Sequence, residues 1–386
     1  MKYKKLGEEC YIVMGQSPES KTYNSKREGI PFLQGRKTFG RIYPYIDTWT
    51  THPIRIGKKD SVLFSVRAPV GDVNIATEEI CIGRGLASIS MKNKHNLYLY
   101  YLLLDNRENI KNMSTGTVFE SINRSELENL VLKFHEEKEQ YKIEKLLGNI
   151  DKKIELNNQI NDNLYEMLKW LYKELYLSSD DYNIWDDMTL NDITSKFATG
   201  LNPRKNFVLG QGNNYYVTIK NMPNNKVILD DKCDKVDDDA LVKINKRSDL
   251  KVGDLLFSGI GTIGRTYLIK SEPTNWNISE SIFTIRPNEK ISSEFLYLLL
   301  LDNDMQNYAV SKASGSVQKG IRMSDLKSYK LKVPDKKWMD DFTNKVSPLI
   351  NKIYSNINEN ETLSQLRDTL LPKLMNDEID LENIEI

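Results

Sequence analysis

The chain is written twice, and this duplication limits its fold more than any other feature. Ser114-Thr115-Gly116-Thr117-Val118 is answered by Ala313-Ser314-Gly315-Ser316-Val317 at an offset of 199, and the same offset aligns Ile122 with Ile321, Ser125 with Ser324, Leu127 with Leu326 and Leu132 with Leu331. The register then continues without a gap for about fifty residues. Self-similarity of this kind means two alike modules.

The ungapped stretch predicts helix. Ile143, Leu147, Ile150, Ile154, Asn157, Asn161, Leu164, Leu168, Leu171 and Leu175 recur at alternating steps of four and three, the seam of a coiled coil. The second copy supplies Phe342, Val346, Leu349, Ile353, Asn356, Asn360, Leu363, Arg367, Leu370 and Leu374. Buried asparagine in such a seam costs stability and serves to fix register and partner, so the matched Asn157, Asn161, Asn356 and Asn360 predict two helices packed on each other with their Asn layers facing.

Upstream the copies drift but stay visible. Residues 98–106 resemble 295–303, Leu63-Phe64-Ser65-Val66-Arg67-Ala68-Pro69-Val70-Gly71 corresponds to Leu256-Phe257-Ser258-Gly259-Ile260-Gly261-Thr262-Ile263-Gly264, and Gly15-Gln16-Ser17-Pro18 to Gly200-Leu201-Asn202-Pro203. Strand-like runs at 61–66, 89–91, 254–257 and 266–269, with helical patterns at 98–109 and 293–303, make each globular part α+β. The expected organisation is a pseudo-twofold repeat: globular domain 1–133, helix 134–178, globular domain 179–333, helix 334–386, the two helices forming an antiparallel coiled coil. Between the matched landmarks, 19–60 and 204–250 differ in length and charge, as expected if a common scaffold carries two different readers.

Lys+Arg and Asp+Glu balance at 54 each, but not evenly along the chain. Residues 1–133 carry +6, 134–178 carry −2, 179–333 carry +1 and 334–386 carry −5. A positive segment beside acidic ones suits contact with phosphates in one place and with protein in another. No run approaches the roughly 18 apolar residues of a membrane span, and Met1-Lys2-Tyr3-Lys4-Lys5-Leu6 lacks a signal-peptide core, so a cytoplasmic protein without membrane contact is expected. Cys10, Cys81 and Cys233 show no metal or disulfide spacing and are expected to be small buried side chains.

Chemistry-bearing motifs are missing. Gly259-Ile260-Gly261-Thr262-Ile263-Gly264 matches G-x-G-x-x-G, but the β-branched and aromatic Arg265-Thr266-Tyr267-Leu268-Ile269 that follows predicts a strand, hence a turn and no cofactor loop. The sequence holds no Asp/Asn-Pro-Pro-Tyr/Phe tetrad, no phosphate-binding G-x-x-x-x-G-K-[S/T], no spaced partner for Pro334-Asp335-Lys336-Lys337, and only three dispersed histidines, His52, His95 and His135. No catalytic residue, metal site or cofactor is expected on this chain.

Over essentially its full length the chain resembles the specificity subunits of type I restriction-modification systems. The resemblance rests on Met14-Gly15-Gln16-Ser17-Pro18, Ile30-Pro31-Phe32-Leu33-Gln34-Gly35, the long run Ser65-Val66-Arg67-Ala68-Pro69-Val70-Gly71-Asp72-Val73-Asn74-Ile75-Ala76, and Cys81-Ile82-Gly83-Arg84-Gly85-Leu86-Ala87. The second half adds Gly253-Asp254-Leu255-Leu256-Phe257-Ser258 and the terminal Leu366-Arg367-Asp368-Thr369-Leu370-Leu371-Pro372-Lys373-Leu374-Met375. The junctions depart: Phe134-His135 precedes Glu139-Gln140 in the first copy, and the second keeps Pro334 without Glu-Gln. The resemblance implies two target recognition domains reading the halves of a split double-stranded DNA site. It also implies two methyltransferase subunits docked along the helices, restriction subunits joining them, and S-adenosylmethionine and ATP held only by those partners. Rival readings are the specificity subunit of a type II fused nuclease-methyltransferase and a coiled-coil scaffold that binds no DNA.

Base reading needs Arg, Lys, Asn, Gln or Ser on exposed loops. The candidates are Gln16, Ser17, Lys26, Arg27, Gln34, Arg36, Lys37, Arg67, Arg84, Asn123 and Arg124 in the first domain. In the second they are Asn202, Arg204, Lys205, Lys220, Arg265, Ser316, Gln318, Lys319 and Arg322. For Arg67 and Arg84 the alternative is a structural pairing with Asp72 or a backbone carbonyl. A helix over residues 136–176 would be on the order of 60 Å long, against about 34 Å per turn of B-DNA, so the helix pair acts as a ruler between half-sites. Deleting one heptad from the first helix is expected to shorten or abolish the tolerated gap with both half-sequences unchanged, as read by mapping methylated adenines; altered half-site bases would contradict the ruler.

Overall fold

Val62–Ser65 and Leu255–Ser258 are buried at every position, the pattern of a strand covered on both faces. Each is an inner strand of a four-stranded antiparallel sheet. The order is Cys10–Met14, Leu86–Met91, Val62–Ser65, Val73–Ile75 in the first copy and Thr194–Thr199, Ile282–Pro287, Leu255–Ser258, Thr266–Leu268 in the second. Each copy adds a second sheet containing one parallel pair, five-stranded in the first with Ile30–Leu33 beside Ile80–Ile82 and three-stranded in the second with Asn214–Val217 beside Trp276–Ile278. Each also has a two-stranded ribbon, Lys2–Lys5 with Val131–Phe134 and Asp186–Thr189 with Lys330–Val333. The computed structural model describes residues 1–113, 121–315 and 318–381; the repeat motif at 114–118 and its counterparts Ser316 and Val317 lie outside them.

The helices Asn96–Asp105 and Ser293–Leu301 are apolar nearly all round, and each is buried across residues 98–103 or 295–300. A helix of that kind belongs inside a core. Ser292 starts the second by accepting from the Phe295 amide. The variable segment 204–250 holds a helix not expected from sequence, Asp238–Ser248, capped by Asp237 and closed by Asp249 in the left-handed region at φ 45°. Among the described residues no helix is long and apolar enough to cross a membrane.

The chain divides into two compact units, Met1–Leu156 with Glu359–Ile386, and Asn157–Asn358. The long helices Glu137–Tyr172 and Lys336–Met375 start at the same repeat position and contribute a stretch to each unit. In the first unit Ile143 and Leu147 share a core with Leu371 and Leu374; in the second Leu168 and Tyr172 share one with Phe342 and Val346. Early residues of one helix thus meet late residues of the other, which makes the pair antiparallel. Inside the second unit the Asn356 Nδ2 donates to Asn161 Oδ1 at 2.8 Å, so these two asparagines face each other in the seam. Asn157 is buried in the same unit, and Asn360 is half-buried in the first.

Two places show how the copies diverge in matched sets. The seam arginine, Arg367, donates to the buried Asp151 at 3.0 Å, and Asp151 also accepts from Arg41 at 2.6 Å and from the Tyr101 hydroxyl at 2.5 Å. The positions equivalent to Asp151 and Arg367 in the second unit are Ile350 and Leu168, both fully buried, so an ion pair in one copy is an apolar pair in the other. Likewise His135 lies 3.0 Å from both the Tyr98 hydroxyl and the Leu374 carbonyl, while the matching positions are Phe295 and Pro334. His135 therefore explains the junction departure: it is the polar partner of a tyrosine that the other copy lacks.

Asp151→Ala takes the carboxylate from Arg41 and the Tyr101 hydroxyl and leaves Arg367 only Asp368 among the described residues. It is expected to cost about 3–5 kcal/mol in urea unfolding, whereas Asp151→Ile with Arg367→Leu, the pairing of the other copy, restores only the part carried by that pair, because Arg41 and Tyr101 stay unmatched. Burial pushes the His135 pKa below its usual 6.5, with Asp377 opposing. As pH falls through about 6.5 the unfolded chain takes up a proton that the folded chain refuses, so stability drops on acidification. Urea midpoints at about pH 7.5 and 5.5 check this, and His135→Gln is expected to lose that part of the pH dependence.

Candidate nucleic-acid interface

Main-chain bonds build the same loop stack in both copies. The Val66 amide donates to Gly85 O at 3.0 Å as Gly259 does to Ser281 O at 2.9 Å; Gly83 to Leu33 O as Ser279 to Val217 O, both 2.8 Å; and Ile122 to Val66 O at 3.0 Å as Ile321 to Gly259 O at 2.8 Å. The backbones approach closely: a Cβ on Gly15 would sit 2.1 Å from the Gly83 oxygen, and one on Gly200 1.7 Å from the Ile278 oxygen. The glycine-rich run at 259–264 links two antiparallel strands, with Gly264 at φ 95° where the first copy has Gly71 at φ 94°. It is a hairpin turn, with no helix N-terminus for a pyrophosphate.

In the first unit the stack gathers Gln16, Ser17, Gln34, Arg36, Arg67 and Arg84. Ser17 Oγ is the hub, accepting from Gln34 Nε2 at 2.9 Å and from the Arg84 amide at 3.2 Å, while the Gln16 amide donates to Ile82 O. Asp72 is paired by Arg36 and Arg107, so the pairing with Arg67 does not form. Arg67 and Arg84 are exposed, and among the described residues their guanidinium groups make no ion pair. Lys37 is exposed beside Arg36. Lys26 and Arg27 stand apart on a turn organised by Asn24, with Arg27 at 5.7 Å from the Trp49 ring centroid. Asn123 and Arg124 have local work: Asn123 caps the helix Arg124–Glu128 by accepting from the Glu126 amide at 3.0 Å, and Arg124 pairs with Glu128 at 2.7 Å.

In the second unit the stack borders a cleft of about 760 Å³, lined among others by Lys220, Arg265, Gln318 and Glu280. Arg265 Nη1 donates to Ile219 O at 2.6 Å, which gives that guanidinium a structural partner. Asn202 Nδ2 donates to Glu280 Oε1 at 2.5 Å, and the Tyr216 hydroxyl, with one proton to give, lies 2.8 Å from the Leu201 carbonyl and 3.1 Å from Glu280 Oε2. Burial and then Glu280 raise the Tyr216 pKa, so that hydroxyl keeps its proton and donates. Arg204 and Lys205 are exposed on the turn after Asn202, Lys319 is exposed with its carbonyl taken by the Gly261 amide, and Arg322 is exposed ahead of the helix Met323–Lys327. Ser316 lies outside the described residues.

Sequence reading passed over Glu280. The matched bonds align Gly83-Arg84-Gly85 with Ser279-Glu280-Ser281, a segment with no shared letter, so only geometry reveals the equivalence. The cysteines offer no chemistry: all three are buried, and burial pushes Cys10 up to about 12 and Cys233 to about 11. Among the described residues no group of three or more His, Cys, Asp or Glu side chains is placed to hold a metal.

Comparison with known proteins finds the type I restriction modification DNA specificity domain matched twice, over residues 1–166 and 183–362. A putative type I restriction enzyme MjaX specificity subunit of Methanocaldococcus jannaschii is 42% identical over 168 residues, 42% of this chain and 40% of that protein. The type I restriction enzyme MjaIX specificity subunit of the same organism is 24% identical over 99% of this chain and 94% of its own length. The crystal structure of a type I restriction-modification S subunit from M. genitalium shares the fold, with a TM-score of 0.63 at 17% identity over 97% of this chain and 95% of the other.

Proposed function

We propose, from the premise that this chain belongs to the family of type I restriction-modification DNA specificity proteins, that each of its two loop stacks reads one half of a split double-stranded DNA site. The observation that carries the reading is the pair of superimposable main-chain frames with unlike side chains at their tips. One frame presented twice reads two words when only its exposed residues differ. Gln16, Gln34, Arg67 and Arg84 are the base readers of the first domain, and Asn202, Lys220 and Gln318 border the reading surface of the second. Arg36, Lys37, Arg204, Lys205, Lys319 and Arg322 serve phosphates, where charge alone suffices; Lys26 and Arg27 do so from their own turn.

The long helices are the spacer and the dock. Met167 and Trp170 are 50% and 59% exposed on the first helix, and Leu366, at the repeat position of Met167, is 46% exposed on the second. Large apolar groups open to water on otherwise polar helix faces suit protein partners. Those partners are two methyltransferase subunits, with restriction subunits joining them; S-adenosylmethionine and ATP belong to them, and the assembly works in the cytoplasm. Methyl transfer and cleavage are their reactions.

In the assembled methyltransferase, Arg84→Ala is expected to relax one position of the first half-site by about 1–3 kcal/mol, and Lys37→Ala to weaken all sequences alike. Genome-wide mapping of methylated adenines checks both. A single unbroken methylated word, or no motif lost on deleting the gene, would overturn the reading.

A further inference from the structure

We propose that Glu280 is the specificity-determining residue of the second domain and that it reads a cytosine, the mirror image of what Arg84 does in the first. The inference rests on the DNA-reading function proposed above and deepens it. The same loop position, flanked by two matched main-chain bonds at Gly83 and Gly85 against Ser279 and Ser281, carries a guanidinium in one copy and a carboxylate in the other. Glu280 is half-buried and lines the cleft. One oxygen accepts from Asn202, and the other lies 3.1 Å from the Tyr216 hydroxyl, whose one proton is shared with the Leu201 carbonyl, so the carboxylate is positioned without being saturated. A carboxylate accepts about four hydrogen bonds, so lone pairs remain for a ligand.

Two observations make a purely structural role insufficient. Bridging Asn202 and Tyr216 requires acceptor oxygens, not a negative charge. That charge also lacks a counterion: among the described residues Glu280 forms no ion pair, and the Arg265 guanidinium of the same cleft is turned to the Ile219 carbonyl. An unpaired carboxylate on a DNA-facing surface repels phosphates, and it is tolerable only where the target returns a donor. In the major groove the exocyclic amino groups of cytosine and adenine are such donors. Adenine sets the N7 lone pair beside its amino group, which opposes a carboxylate and suits an amide. Cytosine presents N4 with no acceptor of its own on that groove edge, so the carboxylate selects cytosine. Arg84, exposed and unpaired, meets the opposite requirement, the two acceptors of guanine.

The test uses the full complex of this chain with its methyltransferase subunits, carrying Glu280→Ala, Glu280→Gln or Glu280→Arg, with methylated adenines mapped to single-base resolution. Glu280→Ala is expected to relax one cytosine of the second half-site by roughly 5- to 150-fold. Glu280→Gln, close in shape and able to keep an acceptor for its neighbours, moves that position toward adenine, and Glu280→Arg moves it toward guanine; the first half-site stays unchanged in all three. An unaltered motif in all three variants overturns the proposal, as does loss of the whole second half-site in Glu280→Gln, which would mark a structural residue. In both of those cases the wild-type split motif persists and the proposed function stands; only a wild-type motif that is not split removes both together.

Discussion

Each unit depends on one large cluster of buried apolar side chains, with smaller separate clusters beneath its loop stack. In the first, Phe64 of the sheet, residues 98–103 of the inner helix, Ile143 and Leu147 of one long helix and Leu371 and Leu374 of the other belong to a single cluster. In the second the series is Phe257, residues 295–300, Leu168, Phe342 and Val346. The four-stranded sheet, the inner helix and their stretch of paired helix therefore fold together. An isolated helix pair of this polarity has little core of its own, and an isolated domain would expose the flank of its inner helix. Whatever orients the helices orients the loops.

The helices and the duplication were legible because their signals are periodic. A seam repeating every three or four residues survives sequence drift, and an ungapped offset makes Asn157 equivalent to Asn356 and Asn161 to Asn360, which predicts facing asparagine layers. The contact formed is between Asn161 and Asn356. Strands with continuous burial, such as Leu255–Ser258, were equally visible. The candidate interface was legible only in part. Arg67, Arg84 and Gln34 were picked out by residue type and loop context. That same criterion also gathered Asn123, a helix cap, and Arg265, tied to a carbonyl, because a polar side chain announces its chemistry and not its partner.

What sequence hid was correspondence between dissimilar letters. Ser279-Glu280-Ser281 shares nothing with Gly83-Arg84-Gly85, and the helix Asp238–Ser248 has no counterpart to align with, although the acidic run at its start and Lys246 and Arg247 at its end are ordinary helix-boundary signals. Tertiary pairings are hidden in the same way. Asp151 with Arg367, or His135 with Tyr98, is a statement about two distant positions at once, and one sequence shows each half without the other.

The loop tips are held by their own peptide groups. Side chains brace the frame at particular points, Ser17 and Arg36 in the first copy and Asn202, Arg265 and Glu280 in the second, while other tip residues such as Arg67 and Arg84 make no ion pair among the described residues. There foldability and vocabulary are uncoupled. Substitutions at these tips can therefore change which chemical groups the frame presents while the peptide bonds that shape it stay as they are.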